Sequence, residues 1–174
     1  MRRTLFISLA AAFVAAAPLA HAQEPVSALR GHNSNAPVDV SADRIEVQDR
    51  ADRAIFVGNV NVRQAQLTLE TARLTVAYSS ADGIQIQRLD ASGGVVVRSP
   101  SETARGDFAV YDLNRRLITL IGGVELSRGG SRIHGSRLVI DLASGRAVVD
   151  GGPAGVGQSG GRVTGRFTVP QRGD

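Results

Sequence analysis

Hydrophobic and polar residues alternate along most of the chain from Val38 onward. The stretches Val60 to Arg63, Leu67 to Glu70, Ile84 to Gln87 and Val124 to Ser127 each place apolar and polar side chains in strict alternation. This period of two is typical of strands with one buried face, and no stretch shows the apolar spacing of a helix. Turn-forming residues such as Gly, Asn, Asp and Ser recur about every ten residues along this part of the chain. We therefore predict an all-β, antiparallel sandwich, barrel or roll with no significant helix.

The pattern repeats itself within the chain. A shift of 64 residues places Gly58 on Gly122 and defines two internal repeats, about 42–78 and 106–142. The same shift also aligns Asp43 with Asp107, Val60 with Val124, and Leu74 with Leu138. A repeat of a few short strands cannot bury its apolar face alone, so we expect the repeats to stack on one another.

A Gly-Asn or Gly-Gly pair lies within each repeat, and a further Gly-Gly pair lies between the two repeats. Gly58-Asn59, Gly93-Gly94 and Gly122-Gly123 stand between alternating runs. Because glycine adopts positive φ without a steric penalty, these pairs are expected to form corners where the chain reverses.

The N-terminal residues have the organisation of a secretory signal. Arg2 and Arg3 precede an apolar run from Leu5 to Ala17, and Ala20-His21-Ala22 resembles a cleavage site. We interpret residues 1–22 as a signal peptide and expect the mature chain to begin at Gln23. The organisation predicted for that chain is a flexible leader over 23–37, a repeat domain over 38–170 and a tail over 171–174.

Composition narrows the possible partners and chemistry. The net charge is +4, every basic residue is Arg, and cysteine is absent. Arg2 and Arg3 fall in the predicted signal, so the mature chain is only weakly basic, and its charges of opposite sign are interleaved. Five Phe and two Tyr are the only aromatic residues, which argues against a stacking surface for nucleic acid. The absence of thiols excludes cysteine nucleophiles and thiolate metal sites.

No motif predicts catalysis, a metal site or a cofactor site. Residues 155–160 match G-x-G-x-x-G, but Arg162-Val163-Thr164 continues as a strand, where a dinucleotide site needs a helix. His134 stands in the repeats without a second His, and the acidic residues recur at the repeat spacing. We therefore expect a protein that is not an enzyme and uses no cofactor.

The apolar positions of the repeats form the candidate interior. Periodicity alone favours an ordinary filled core but leaves open an interior that holds a ligand. The candidate positions are Ile45, Val47, Val60, Val62, Leu67, Leu69, Leu74, Val76, Val124, Leu126, Ile133, Leu138 and Ile140.

Three segments carry a resemblance to a known family. Ala42-Asp43-Arg44-Ile45, Phe56 to Val62 and Ala72 to Val76 resemble the OstA-like repeat of the LptA family. A second copy runs from Leu120 through Leu138, with Gly123 where the first copy has Asn59. The resemblance covers about 37–171, nearly all of the mature chain.

This resemblance implies a fold, a cargo and partners. The expected fold is a β-jelly-roll shaped like a folded taco, whose apolar lumen holds the acyl chains of lipopolysaccharide or a related glycolipid. The implied function is a periplasmic bridge that moves this lipid from the inner to the outer membrane. The implied partners are an LptC-like bitopic inner-membrane protein, an LptD-like outer-membrane barrel and further copies of the chain. Contacts would use the edge strands at Val38–Val40 and Arg162–Val169, and no catalytic residue is implied.

Three alternatives remain at this point. A structural or adhesion module with a closed core would carry no lipid. A β-helix enzyme acting on polysaccharide would need shorter coils and a line of carboxylates, which the repeat spacing and the scattered acidic residues do not provide. A membrane-anchored relative would keep residues 1–22.

The position of the mature N-terminus is the first testable expectation. Cleavage after Ala22 should give a mature protein that begins at Gln23, because small residues at Ala20 and Ala22 suit the processing enzyme. Intact mass and N-terminal sequencing of the exported protein measure this. A chain that still begins with Met1 would favour the anchored form.

Overall fold

The structure, a computed structural model, is all-β over the residues it describes, which are 29, 32–81, 83–152 and 161–169. The predicted signal peptide, most of the leader, the G-x-G-x-x-G segment and the tail lie outside these residues. One short 3-10 turn, Asp49–Ala51, is the only helical element within the described ranges. The strands are β1 (Val38–Ser41), β2 (Arg44–Gln48), β3 (Arg53–Gln64), β4 (Leu67–Ser79), β5 (Gln85–Arg98), β6 (Glu102–Asp112), β7 (Leu117–Arg128), β8 (Ser131–Asp141), β9 (Arg146–Asp150) and β10 (Thr164–Arg166). The predicted all-β fold class is confirmed.

All ten strands belong to one antiparallel sheet. The strands from β3 to β8 pair in chain order, each with its sequence neighbour. At one end, β1 and β2 both pair with β3, and at the other end β9 and β10 both pair with β8. The described strands do not close into a barrel. We call the β1/β2 side the first edge and the β9/β10 side the last edge.

Bulges lie at the same level in neighbouring strands. The pairing register shifts between Val57 and Val60 in β3, and equivalent shifts follow at Thr71/Arg73, Ser92/Val95, Arg105/Phe108 and Ile121/Val124. Because a bulge bends its strand, this line divides the sheet into two layers. Layer A contains β1 and β10 with one half of each long strand, and layer B contains β2 and β9 with the other half.

Glycine and acidic side chains make these bends. Gly58 has a φ of 82° and Asn59 a φ of 45°, and the Asp43 carboxylate occupies the space that a Cβ on Gly58 would need. The second repeat is built in the same way from Gly122, also at 82°, and Asp107. The predicted positive φ is present, but the chain does not reverse there. Each strand continues through the bend, so the short predicted strands are halves of longer ones.

Asp residues close the tight turns at the outer end of layer B. The Asp112 carboxylate accepts a hydrogen bond from the Arg115 N–H (2.9 Å) in the β6–β7 turn. Asp141 accepts from the N–H groups of Ala143 (2.9 Å) and Ser144 (3.2 Å) in the β8–β9 turn. Hydrogen bonds from the hydroxyl and N–H of Ser144 are the main reason that the pKa of Asp141 is lowered. The regular spacing of these acids therefore reflects turn formation.

The two layers face each other across one apolar core. The hydroxyl group of Tyr111 in layer B donates a hydrogen bond to the side-chain oxygen of Gln64 in layer A (2.8 Å). Leu74, Ile118, Leu120 and Leu138 are 0% exposed at its centre. No helix among the described residues is both long enough and apolar enough to cross a membrane.

Replacing isoleucine by alanine at two positions on the same inner face tests where stability resides. Ile118→Ala should lower the free energy of unfolding by about 2–5 kcal/mol, because it leaves a cavity at a fully buried position. Ile45→Ala removes the same atoms from a residue that is 55% exposed and should cost about 1 kcal/mol or less. Urea unfolding of both variants measures the difference. Equal losses would contradict this arrangement of the core.

Candidate functional site

Continuous rows of cross-strand neighbours form the inner surface. Residues paired directly across strands point to the same face, so each row can be followed from one edge to the other. One row of layer B is Ile45, Phe56, Leu74, Ala91, Ala109, Leu120, Leu138 and Val149. The next row is Val47, Ala54, Val76, Leu89, Tyr111, Ile118, Ile140 and Ala147. In layer A the matching row is Val40, Val62, Leu69, Val97, Ala104, Leu126, Ile133 and Gly165.

All thirteen candidate interior residues point to this inner surface. Ten of them belong to the three rows, and Val60, Leu67 and Val124 occupy further inward-facing positions of β3, β4 and β7. Their environments differ, however. Nine residues are packed, each at most 4% exposed: Val60, Val62, Leu67, Leu69, Leu74, Val76, Val124, Leu138 and Ile140. The middle of the interior is therefore filled by protein.

The remaining four candidates lie at the two edges. Ile45 and Val47 are 55% and 56% exposed, because among the described strands none pairs with the outer side of β2 at the first edge. Leu126 and Ile133 line an open apolar cavity of about 410 Å³ near the last edge. The rest of its wall includes Ala147, Val149 and Phe167, which is 66% exposed.

Leu29, which precedes the first strand, is buried between the layers close to this cavity. It is only 7% exposed and lies among Val97, Ala104, Leu126 and Ile140, side chains that come from both layers. An apolar residue of the predicted leader therefore fills space between the layers, directly beside the open cavity.

A buried carboxyl group stands at the rim of the cavity. Glu102 is 7% exposed, and its Oε1 lies 3.2 Å from Nη1 of Arg128 on the neighbouring strand. Its Oε2 has no hydrogen-bond partner. Burial raises the pKa of Glu102, and the charge of Arg128 and a hydrogen bond from the Leu29 backbone oppose this only in part.

A second polar cluster holds the leader against the sheet. Gln64 is 1% exposed and donates to the backbone oxygens of Ser34 and Ala36, both at 3.0 Å. Its Oε1 accepts from Tyr111 and lies 3.1 Å from Nε2 of His32. Burial raises the pKa of Tyr111. The described leader residues 32–36 are thus held by hydrogen bonds to Gln64, the last residue of β3. This differs from the flexible leader predicted for 23–37.

Sequence reasoning missed several residues of the interior. Leu89, Ala91, Val95 and Val97 all lie on β5, between the two repeats from which the candidates were taken. The alternation through Val95 and Val97 was the available signal. Phe167 continues the alternation of Val163 and Gly165 beyond β10, but it lies outside the two repeats from which the candidates were taken.

The other sequence features have structural roles or remain isolated. His134 Nδ1 lies 3.8 Å from Glu125 on the outer surface. Within the described ranges, no three His, Asp or Glu side chains are grouped closely enough to hold a metal ion. Asp107 of Arg105-Gly106-Asp107 contacts the Gly122 bend. Residues 155–160 and 172–174 lie outside the described part of the chain.

Fold and site together define a class: a two-layer, antiparallel β-jelly-roll with open edges and an apolar interior that reaches the surface at both. Comparison with known proteins then identifies the family. The family model for the LptA/(LptD N-terminal domain) LPS transport protein matches residues 39–146. An uncharacterized protein of Rhizobium meliloti (strain 1021) is 31% identical over 151 residues, which cover 82% of this chain and 80% of that protein. The chain belongs to the LptA/LptD N-terminal domain family of lipopolysaccharide transport proteins.

A solved structure supports the fold independently. LptH, described as the LptA-homologous periplasmic component of the lipopolysaccharide transport device of Pseudomonas aeruginosa, aligns with a TM-score of 0.66. The alignment covers 78% of this chain and 98% of LptH at 18% identity. The predicted resemblance to the OstA-like and LptA family is thus confirmed.

The buried carboxyl group leads to a testable pH dependence. A raised pKa means that Glu102 binds its proton more tightly in the folded state than in the unfolded state, where the pKa of a glutamate is near 4.5. Glu102 therefore supports stability at low pH, and this support is lost as the pH rises through the folded pKa. Glutamine cannot ionise. As the pH rises from the unfolded pKa through the folded pKa, the free energy of unfolding of Glu102→Gln should therefore increase relative to that of the wild type. Urea titrations from pH 4 upward measure it.

Glu125→Gln provides the matched control, since it removes a partly exposed acid from the neighbouring strand. It should not reproduce this trend. Parallel pH profiles for the wild type and Glu102→Gln would show that the burial of Glu102 has no consequence for stability.

Proposed function

We propose that this protein binds lipopolysaccharide, or a related glycolipid, by holding its acyl chains against the apolar interior, and carries it from the inner to the outer membrane. The observation that supports this most strongly is the cavity at the last edge. It opens to solvent, is lined mainly by Leu126, Ile133, Val149 and Phe167, and has a volume within the range of small-molecule pockets.

The energetics suit this role. Burying one acyl chain of about twelve carbons stabilises a complex by roughly 10 kcal/mol, at about 0.8 kcal/mol per methylene. Such a lipid crosses water very slowly by itself. A protein that offers an apolar surface at each edge removes most of that barrier, provided that successive sites have similar affinity.

The structure favours entry of the lipid at the last edge. There the apolar surface is already accessible, whereas the nine packed residues contact other protein side chains. A chain that passes further inward has to displace Leu29 and separate layers A and B. We therefore assign the first contact with lipid to Leu126 and Ile133, and not to the packed Val62.

Both edges suit assembly with proteins of the same fold. Strands β1 and β10 run in opposite directions, so β10 of one copy can pair in antiparallel fashion with β1 of the next. Such stacking would also cover Ile45 and Val47 with apolar residues of the neighbour. We propose head-to-tail self-association through these edges. The same edges would meet an LptC-like protein at the inner membrane and an LptD-like barrel at the outer membrane.

The proposed site of action is the periplasm. This agrees with the predicted cleavage between Ala22 and Gln23 and with LptH, which is described as a periplasmic component. The interior positions are apolar except for Gln64, Thr71 and Glu102, and we propose a transport role without catalysis.

A closed-core structural or adhesion module is the second candidate. The observation in its favour is the packed middle of the interior, where nine of the thirteen candidate residues contact only protein. It predicts that no lipid occupies the cavity at the last edge.

Photo-crosslinking at adjacent positions separates the two functions. A photoreactive residue at Ile133 faces the cavity, and one at His134 faces outward. The transport proposal predicts a glycolipid adduct at Ile133, at least about tenfold more abundant than at His134. The experiment is done in living cells, and mass analysis of the adduct identifies the lipid. No adduct at Ile133 in a folded, exported protein would favour the closed-core module.

A further inference from the structure

The two edges of the sheet carry charged residues on their outer surface, and the sign of the charge differs between the layers. At the first edge, layer A presents Asp39 and layer B presents Arg44. At the last edge, layer A presents Arg166 and layer B presents Asp150. All four side chains are exposed.

In layer A, Asp39 and Arg166 stand at the two ends of one outward-facing row. The row runs Asp39, Arg63, Thr68, Arg98, Thr103, Ser127, Arg132 and Arg166. A second copy added to the last edge in the same register would place its Asp39 directly opposite Arg166. On the isolated chain, Arg166 pairs across strands with another cation, Arg132, and like charges in that position are unfavourable.

In layer B, the corresponding row has the opposite polarity. It runs Arg44, Val57, Arg73, Ser92, Phe108, Ile121, Arg137 and Asp150. The same second copy would place its Arg44 opposite Asp150. Arg44 has only a long contact of 3.7 Å to Glu46, with its side chain 75% exposed. Asp39, Asp150 and Arg166 form no ion pair with any residue that the structure describes.

We propose that these two charge pairs fix the register of a head-to-tail stack of identical chains, Arg166 with Asp39 in layer A and Asp150 with Arg44 in layer B. This inference rests on the self-association proposed above. The inner rows agree with it, since the same register places Val149 opposite Ile45 and Ala147 opposite Val47. The apolar wall of the cavity would then continue onto the exposed inner face of β2.

The two charge pairs act on the register of the contact. A slip of two residues would keep an antiparallel main-chain pairing and the inward-facing phase of the side chains. It would move Asp39 away from Arg166 and Arg44 away from Asp150, so both pairs form in one register only.

Charge reversal on the full mature chain tests the proposal. Arg166→Asp should weaken self-association about tenfold, because an attraction in layer A becomes a repulsion. Asp39→Arg should do the same. An equal mixture of the two variants should associate as tightly as the wild type, because each new charge then meets its opposite. Sedimentation velocity over a range of protein concentrations measures the dissociation constants. The effects should shrink at high salt.

Arg73→Asp is the matched control, since it reverses an exposed arginine of the layer B row that lies two strands in from the first edge. It should associate like the wild type. Rescue in the mixture also shows that the single variants are folded. If the wild type associates and both edge variants associate equally well, the charge register is overturned while self-association stands. A wild-type chain that stays monomeric throughout overturns the self-association itself.

Discussion

The fold depends on bends that occur at the same level in successive strands. A single bend would break the ladder of main-chain hydrogen bonds, but bends that line up allow the whole sheet to fold over while neighbouring strands stay paired. Gly58 and Gly122 provide the required positive φ, and the carboxylates of Asp43 and Asp107 fill the space beside them. With the sheet folded in this way, apolar rows that would face water come together as one interior.

Folding one sheet over leaves two edges that no further strand of the described ranges covers. In an ordinary domain such edges are a liability, because unpaired backbone groups invite association. Here both edges also present apolar inner-face residues, Ile45 and Val47 on one side and the cavity around Ile133 on the other. An edge that exposes both backbone groups and a continuation of the apolar interior suits a component of a transport chain. Membership in the lipopolysaccharide transport family agrees with that arrangement.

The buried polar groups show where this interior departs from a simple apolar core. Gln64 is fully satisfied by Tyr111 and by the backbone of residues 34 and 36, so it fixes the segment before β1 at little cost. Glu102 is different, because one of its carboxylate oxygens lacks a hydrogen-bond partner beside the cavity. Leu29 packs next to it. Among the described residues, the buried side-chain atom without a hydrogen-bond partner therefore lies beside the cavity at the last edge.

The amino-acid sequence by itself determined the all-β class, the inward-facing phase of the thirteen candidate residues and the family. Strand periodicity is local, so each inward position follows from its neighbours. The 64-residue repeat preserved the Gly and Asp pairs that the bends require. Whether a Gly-Asn pair reverses the chain or bends it depends on the strands beside it, and so this part of the prediction failed at Gly58.

Only the tertiary structure decided which inward-facing residues are packed and which are accessible. Val62 and Ile133 have the same alternation, and each lies one strand in from an edge of its row, but Val62 is 2% exposed whereas Ile133 lines the open cavity. The same holds for charge: nothing local distinguishes Asp39 or Arg166 from other surface residues until the strand order places them at opposite ends of one row. Exposure and pairing are set by long-range neighbours, and a local pattern contains no information about how many strands lie beyond a given one.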